Sequence, residues 1–480
     1  MNVLALDQGT SATKALLVGP GGEVLGRGEV PVRTRSVGAD GVEADPEDLY
    51  ESVLAAGAKA LAAAGAPAHA VALANQGETV LAWDRATGTP LSPAIVWQDR
   101  RSAAVCARLA LAGRAAELSA ISGLPLDPYF AAPKMTWLRE NVSLPSGGAV
   151  VTTTDTWLLA RLGGEYVTDA ATASRTMLLD LDAVTWSSAA CAAFGLSPAD
   201  LPAVVDCAGF AGSTTAFGRE LPITGIAVDQ QAALLAEGCL AAGDAKCTYG
   251  TGAFLLVTTG SSATRSGAGL SASVAWRLDG SATYCLDGQV YTAGSAVRWL
   301  AGIGVLGGPA SLDEVGETVP DAGGVLFVPA LAGLGAPHWA PGARGVLSGL
   351  HLGTSRGHLA RAVAEGIAAS VALLVSAVVA DLGRPLTFLR ADGGLTRSRL
   401  LVQAQADLLQ VPVLVYRSGD ATALGVAALA RLGAGDVHSA AEAVGPAEVE
   451  SRVDPAITAD EAAERLVAFR SALPLALAGR

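Results

Sequence analysis

The amino-acid sequence predicts an α/β fold made of two related halves, and three observations carry that prediction. Short apolar strands alternate with capped helices along the whole chain. A Gly-Thr turn feeding an apolar strand occurs twice, in Leu6-Asp7-Gln8-Gly9-Thr10-Ser11 and in Thr248-Tyr249-Gly250-Thr251-Gly252-Ala253, a weak internal similarity that fits a duplication and falls far short of a solenoid period. The 480 residues suffice for two or three domains, and for a core that needs neither disulfides nor a structural metal.

Taken in order, Val3 to Leu6 and Ala15 to Val18 are short strands flanking a polar turn. Pro46 to Ala64 is a helix: Asp45 is a suitable N-cap, Pro46 fits the first position, Glu47 and Asp48 oppose the dipole, and Gly65 ends it. Strands are expected at Ala70 to Ala74 and Ala94 to Trp97, then one helical stretch from Arg101 to Leu118. Gly225 to Val228 is a strand that leads into a helix at Ala232 to Leu235. After a boundary near residue 240, Lys246 to Val257 repeats the turn and strand of the N-terminus. The long helix Arg356 to Leu382 closes at Gly383; a strand (Leu386 to Ala391), an Asp392-Gly393-Gly394 turn and a helix through Leu409 follow. The acidic, alanine-rich tail beyond Ser439 is expected to be peripheral helix. The domains are thus placed at residues 1–240 and 241–480.

Composition narrows the function. Thirty-two basic against 45 acidic residues give a net charge of −13, and no long basic run exists, which disfavours a nucleic acid or an anionic membrane as partner. Alanine, valine and leucine raise the mean hydropathy to +0.41. The uncharged apolar stretch Gly366 to Ala380 is shorter than the ~20 residues of a spanning helix, so it reads as a buried helix and no membrane insertion is expected. The chain begins on a strand pattern without a basic n-region, and its cysteines (106, 191, 207, 239, 247 and 285) are scattered with no Cys-x-x-Cys pair. Both features point to a cytoplasmic protein with reduced thiols.

Several turns carry chemistry. Asp7 at a strand end can hold Mg²⁺ through waters, while Gly9 lets backbone N–H groups approach a phosphate and Thr10 and Ser11 add hydroxyls; an ordinary hairpin turn has the same pattern. Thr248 to Gly252 offers a second such turn, and two facing each other would clamp a triphosphate between domains. Asp392-Gly393-Gly394 suits close packing against a flat base. Asp229-Gln230 ends a strand, where a carboxylate can take a proton from an attacking hydroxyl and the amide can orient it; a plain helix N-cap is the alternative. Asn75-Gln76-Gly77-Glu78, Ile95 to Arg101 and Asp127-Pro128-Tyr129-Phe130 supply further polar and aromatic groups where α/β folds place ligands. No P-loop and no dinucleotide fingerprint occurs. Ser11-Ala-Thr-Lys14 lacks the partner motifs of Ser-x-x-Lys enzymes, and Gly353-Thr354-Ser355-Arg356-Gly357, which matches a nucleophile elbow, is explained by Thr354 or Ser355 as N-cap.

In this order, these segments resemble the FGGY family of carbohydrate kinases, and within it the glycerol kinases. The more specific pieces are Ala94-Ile-Val-Trp-Gln98, Asp127-Pro-Tyr-Phe130, Thr154-Asp-Thr-Trp-Leu158, Ala173-Ser-Arg-Thr-Met-Leu178 and Gly225-Ile-Ala-Val-Asp-Gln-Gln-Ala-Ala-Leu234. The resemblance implies two actin-like, ribonuclease-H-like ATPase domains closing over MgATP in an interdomain cleft. It implies Asp229 as general base and Asp7 as the carboxylate near Mg²⁺. Thr10, Ser11, Lys14 and Thr251 would meet the phosphates, with Gly294 and Gly394 near the nucleotide. Glu78, Trp97, Tyr129, Asp229, Gln230 and Phe254 would line a polyol pocket. A homo-oligomer, dimer or tetramer, is also implied.

The departures bear on substrate. Glycerol kinases typically carry Asn-Gln-Arg-Glu where this chain has Asn75-Gln76-Gly77-Glu78, so Gly77 removes a hydroxyl donor and opens volume. A polyol or ketose larger than glycerol is expected, unless Arg100 or another arginine reaches in. Lys14 stands where many relatives have arginine, and Arg298 and Ser398 replace a glutamine and an asparagine near the nucleotide. Gly209 to Leu221 lacks the Gly-Gly-Lys-Gly-Gly pattern of relatives regulated by fructose bisphosphate. The competing class is an actin-like ATPase without a small acceptor. The hydroxyl-binding set argues against it.

Overall fold

The computed structural model describes residues 1–145 and 147–478. Two sheets organise the chain. The first has six strands in the spatial order Ser213–Thr214, Leu221–Val228, Ala70–Asn75, Val3–Gln8, Ala12–Val18, Val24–Pro31. Its last three strands form an antiparallel meander, with Asp7 opposite Lys14, while Ala70–Asn75 and Leu221–Val228 run parallel to Val3–Gln8. The second sheet, of seven strands, repeats the plan. Ala245–Tyr249 pairs antiparallel with Ala253–Gly260 and parallel with Leu389–Asp392, which in turn pairs parallel with Val413–Tyr416. The duplication hinted at by the two Gly-Thr turns is therefore a duplication of strand topology.

The helix Pro46–Ala64 has the expected ends: Asp45 accepts from the Glu47 N–H at 3.0 Å, and Gly65 is left-handed at φ 60°. Arg356–Leu382 likewise ends on Gly383 at φ 67°. This is the one helix among the described residues long and apolar enough to cross a membrane, and it is packed mostly inside the core of the C-terminal half. Ser355 caps it, with His358 Nδ1 2.9 Å from the Ser355 N–H, so the elbow-like motif is a capping box.

Three expectations are corrected. The stretch Arg101 to Leu118 is two helices, Ala103–Leu111 and Ala115–Ser122, because Gly113 turns left-handed at φ 73° between them. Ala94–Ile95 is a two-residue strand in a separate five-stranded sheet and stops before Trp97. The tail is not only peripheral helix. Val449–Val453 adds an antiparallel edge strand to Val413–Tyr416, and Ala459–Leu477 buries Phe469, Ala472, Leu473 and Ala476. Its sequence shows little of this, since an edge strand can be polar on both faces.

The six-stranded sheet takes its strands from residues up to 228, and the seven-stranded sheet from residue 245 onward. The helix Ala421–Gly433, however, packs across to Val3–Gln8, Ala70–Asn75 and Leu221–Val228 and against the helix Asp229–Ala236. Its small residues allow that approach.

Candidate functional site

The strand ends of both halves converge on a cleft of about 410 Å³. On the N-terminal side the first hairpin turn is closed by Gly9 N–H donating to the Ala12 carbonyl at 3.1 Å. Thr10 hydroxyl donates to Gln76 Oε1 at 3.0 Å and accepts from Trp97 Nε1 at 2.9 Å, which locks the indole against the turn. On the opposite side the Gly250 N–H donates to the Gly252 carbonyl at 2.9 Å. Ala293 and Ser295 N–H groups donate to the Thr251 carbonyl, and a Cβ on Gly294 would lie 2.6 Å from the Gly250 carbonyl oxygen. The second turn thus rests on the start of the helix Gly294–Gly302, and only glycine fits at that contact.

An aromatic box stands between the turns. Trp97 meets Tyr129 edge-on at 5.9 Å and Phe254 at 6.1 Å between ring centroids. Lys134, fully buried, donates to the carbonyls of Tyr129 and Phe130 and fixes the turn that presents the phenol. Burial pulls its ammonium down to about 8 despite the nearby carboxylates, Glu78 foremost.

Asp229 opens the helix Asp229–Ala236 at the end of the strand Leu221–Val228, and its Oδ1 accepts from the Gln230 N–H at 2.7 Å. Burial pushes its carboxyl up to about 6, Glu78 adds to the rise, and the Gln230 N–H, Lys246 and Arg175 oppose it. Such a group is ionised at neutral pH yet more basic than a free aspartate, as a general base should be. Lys246, fully buried, donates to Gln230 Oε1 at 2.7 Å and to Thr248 Oγ1 at 2.6 Å, so the Gln230 amide keeps its NH₂ as the remaining donor. Asp7 is raised to about 7 by burial and then by Asp229, with Lys14 opposing.

Glu78 occupies a left-handed backbone position, φ 57°, uncommon for a residue with a side chain. Arg175 holds it there: Nε donates to Glu78 Oε1 at 2.7 Å and Nη1 to Asp287 Oδ2 at 2.5 Å. Gln289 Nε2 donates to the other oxygen of Asp287, and Gln289 Oε1 is buried without a partner among the described residues. Burial raises the Asp287 carboxyl to about 6 even though Arg175 lowers it.

Of the residues singled out in the sequence, Thr10, Ser11, Gly77, Glu78, Trp97, Tyr129, Asp229, Gln230, Thr251, Phe254 and Arg298 line this one cleft. Asp7 lies behind its wall on the first strand, close enough for its charge to act on Asp229. Gly294 backs the second turn, and Gly394 begins a short 3₁₀ turn just after Gly393, which packs on the Tyr249 carbonyl. Lys14 points to the C-terminal half, 3.7 Å from Asp420 and 3.3 Å from the Gly419 carbonyl. Ser398 is engaged as the N-cap of Arg399–Leu409 and donates to Asp313. The space beside Gly77 is partly taken up: a Cβ there would lie 2.9 Å from Val228 Cγ2. Arg100 is 3.8 Å from Asp127, and the arginine that lines the cleft near Glu78 is Arg175.

The sequence alone assigns no role to Arg175, Lys246, Asp287 or Gln289. The available signal was polarity out of place. Asp287 and Gln289 interrupt the otherwise apolar run from Tyr284 to Val290, and Lys246 opens a buried strand.

Residues 2–236 match the model of the FGGY family of carbohydrate kinases, N-terminal domain, and residues 245–434 match the C-terminal domain of the same family. The chain is 46% identical over 445 residues to the glycerol kinase of Thermus brockianus, covering 90% of each. Among solved structures it superposes with a TM-score of 0.90 on Plasmodium falciparum glycerol kinase with ADP, at 29% identity over 99% of this chain and 98% of that one. The xylulose kinase of Rhodospirillum rubrum gives 0.86 at 25% identity, covering 99% of each chain.

Proposed function

Because the chain belongs to the FGGY family of carbohydrate kinases, with its two-domain actin-like fold, and is an ATP-dependent kinase of a polyol or sugar, we propose that Asp229 is its general base and that its acceptor is longer than glycerol. The observation that carries this is the single cleft in which Asp229, Gln230, Glu78, Trp97 and Tyr129 face the two Gly-Thr turns, with no side chain at residue 77.

The acceptor hydroxyl lies between Asp229 and the γ-phosphoryl group of ATP. Its oxygen attacks phosphorus in line, its proton passes to the Asp229 carboxylate, and ADP leaves. Gln230, oriented by Lys246, donates its NH₂ to that hydroxyl or its neighbour. Trp97, Tyr129 and Phe254 exclude water and pack on the carbon chain. Thr10, Ser11, Lys14 and Thr251 contact the phosphates, while Gly294, Arg298, Gly394 and Ser398 border the nucleotide.

Mg²⁺, entering with ATP, would neutralise phosphate charge. Asp7 would hold it, and the residues fit: the carboxylate makes no hydrogen bond among the described residues and is raised first by burial and then by Asp229 nearby. No group of three or more potential metal ligands occurs among the described residues, as suits an ion held mainly by phosphate oxygens and water. We place the division between the domains near residue 240, the enzyme in the cytoplasm, where its buried free thiols would stay reduced, and its assembly as a dimer or tetramer.

The test is ADP release by the purified chain with MgATP against glycerol, erythritol, threitol, xylitol, ribulose and xylulose. A four- or five-carbon compound is expected to give the highest kcat/KM. A clear preference for glycerol would overturn the longer acceptor, and ADP release indifferent to every acceptor would overturn the assignment of the cleft.

A further inference from the structure

We propose that Arg175, Asp287 and Gln289 form a second subsite that reads the far end of the acceptor and restricts it to uncharged polyols or ketoses of four or five carbons. This rests on the cleft being the acceptor pocket with Asp229 as base.

The strand Ser281–Val290 places Asp287 and Gln289 on one face, because side chains two apart point the same way. Their partners in register are Leu256 and Phe254, so both stand on the cleft wall beside the aromatic box. Arg175, Asp287 and Gln289 are 5%, 4% and 2% exposed. Gln289 spends its NH₂ on Asp287 and leaves Oε1 buried without a partner among the described residues. Arg175 spends Nε on Glu78 and Nη1 on Asp287, and Nη2 takes no hydrogen-bond partner among the described residues. An unpartnered acceptor and a spare donor on one wall match a hydroxyl, which both donates and accepts. A purely structural ion triplet would account for Arg175 and its two carboxylates. It would not account for the orphaned amide oxygen of a residue that lines the cleft.

Charge sets the class of ligand. The Arg175 guanidinium is already shared by Glu78 and Asp287, and Asp229 adds a third carboxylate to the same cleft. A carboxylate-bearing sugar acid reaching this wall would meet surplus negative charge there, because the other arginine lining the cleft, Arg298, stands at the second turn with Nη2 3.5 Å from Thr251 Oγ1. On this reading a chain one or two carbons longer than glycerol would extend from Asp229 toward this wall, past Gly77.

The experiment compares wild type with Gln289→Leu by ADP release with MgATP and glycerol, erythritol, xylitol, D-xylulose or D-gluconate. The wild type is expected to favour a neutral four- or five-carbon acceptor over glycerol by at least tenfold in kcat/KM and to leave gluconate untouched. Gln289→Leu should cost that acceptor at least tenfold, chiefly through KM, while glycerol changes less than threefold. An equal loss on all acceptors, or gluconate turnover matching the best neutral compound, would overturn the subsite. Should the variant fold poorly, the wild type decides with a deoxy analogue lacking the terminal hydroxyl distant from the phosphorylated one: a loss under threefold overturns the proposal. Wild-type ADP release that no acceptor stimulates would instead remove the underlying reading of the cleft, an outcome independent of Gln289.

Discussion

At the scale of single residues, the basicity of Asp229 has a measurable consequence. Its carboxyl, raised to about 6 by burial and Glu78, must be ionised to accept a proton. With MgATP saturating, so that the Asp7 site is filled, kcat/KM for the acceptor should therefore fall as pH drops through about 6 and level off above it. Asp229→Asn should lower kcat by about 10²- to 10⁴-fold, the usual contribution of a positioned base, with little change in KM for ATP. Lys246 is one of the groups that oppose the rise, so Lys246→Met should move the acidic limb of the profile to higher pH. The same variant frees the Gln230 amide and should raise KM for the acceptor. A limb that stays in place in Lys246→Met would show that Lys246 acts on orientation alone. Residues 77 and 228 form a coupled pair, since a Cβ at 77 would meet Val228 Cγ2 at 2.9 Å. Gly77→Arg alone should depress activity on every acceptor. Combined with Val228→Gly it should recover and shift preference toward glycerol, a non-additivity that a double-mutant cycle reads directly.

At the scale of elements, the placement of the base depends on a contact between two helices. A Cβ added to Gly425, on the helix Ala421–Gly433, would lie 1.8 Å from the Ala232 carbonyl oxygen on the helix that begins with Asp229. Backbone cannot yield as a side chain can, so Gly425→Ala should cost about 1–3 kcal/mol by overpacking and lower the thermal midpoint by several degrees. It should also reduce kcat, because the displaced helix carries Asp229, whereas Gly383→Ala, far from the cleft, should affect the melt alone. Calorimetry with steady-state kinetics on both variants checks this. Elements were legible where local chemistry specifies them. Asp45 and Pro46 at one end and Gly65 at the other marked the first helix to the residue. Gly113 was visible too, yet the apolar periodicity on both sides of it concealed the break. The edge strand Val449–Val453 could not be recognised from Val-Glu-Ser-Arg-Val, because what makes it a strand is the unpaired edge of Val413–Tyr416.

At the scale of the whole molecule, both halves present the same topology to the cleft, and ligands that bridge them should stabilise the assembly. A non-hydrolysable ATP analogue with Mg²⁺ and a good acceptor are expected to raise the thermal midpoint together by more than either alone, by mass action on the folded state. All six cysteines are free and buried, and burial raises the thiols of Cys207 and Cys239 far above their usual range. A thiol reagent should therefore label almost none in the native protein and six after denaturation, and reductant should leave the melt unchanged. Fewer than six reactive thiols in the denatured, unreduced chain would contradict this.

The sequence by itself determined the α/β class, the paired phosphate-type turns, the ends of the long helices and most of the cleft-lining residues. Those features are local: a Gly-Thr turn, a capped helix or an acid at a strand end needs only its neighbours to be recognised. Tertiary structure alone decided that Val228 leans into the space beside Gly77, that Lys246 orients Gln230, and that Arg175 bridges Glu78 and Asp287 beside a Gln289 whose Oε1 has no partner among the described residues. Most of these contacts join residues about a hundred or more positions apart, and their meaning lies in burial and charge balance, which exist only once the two halves have closed on one another.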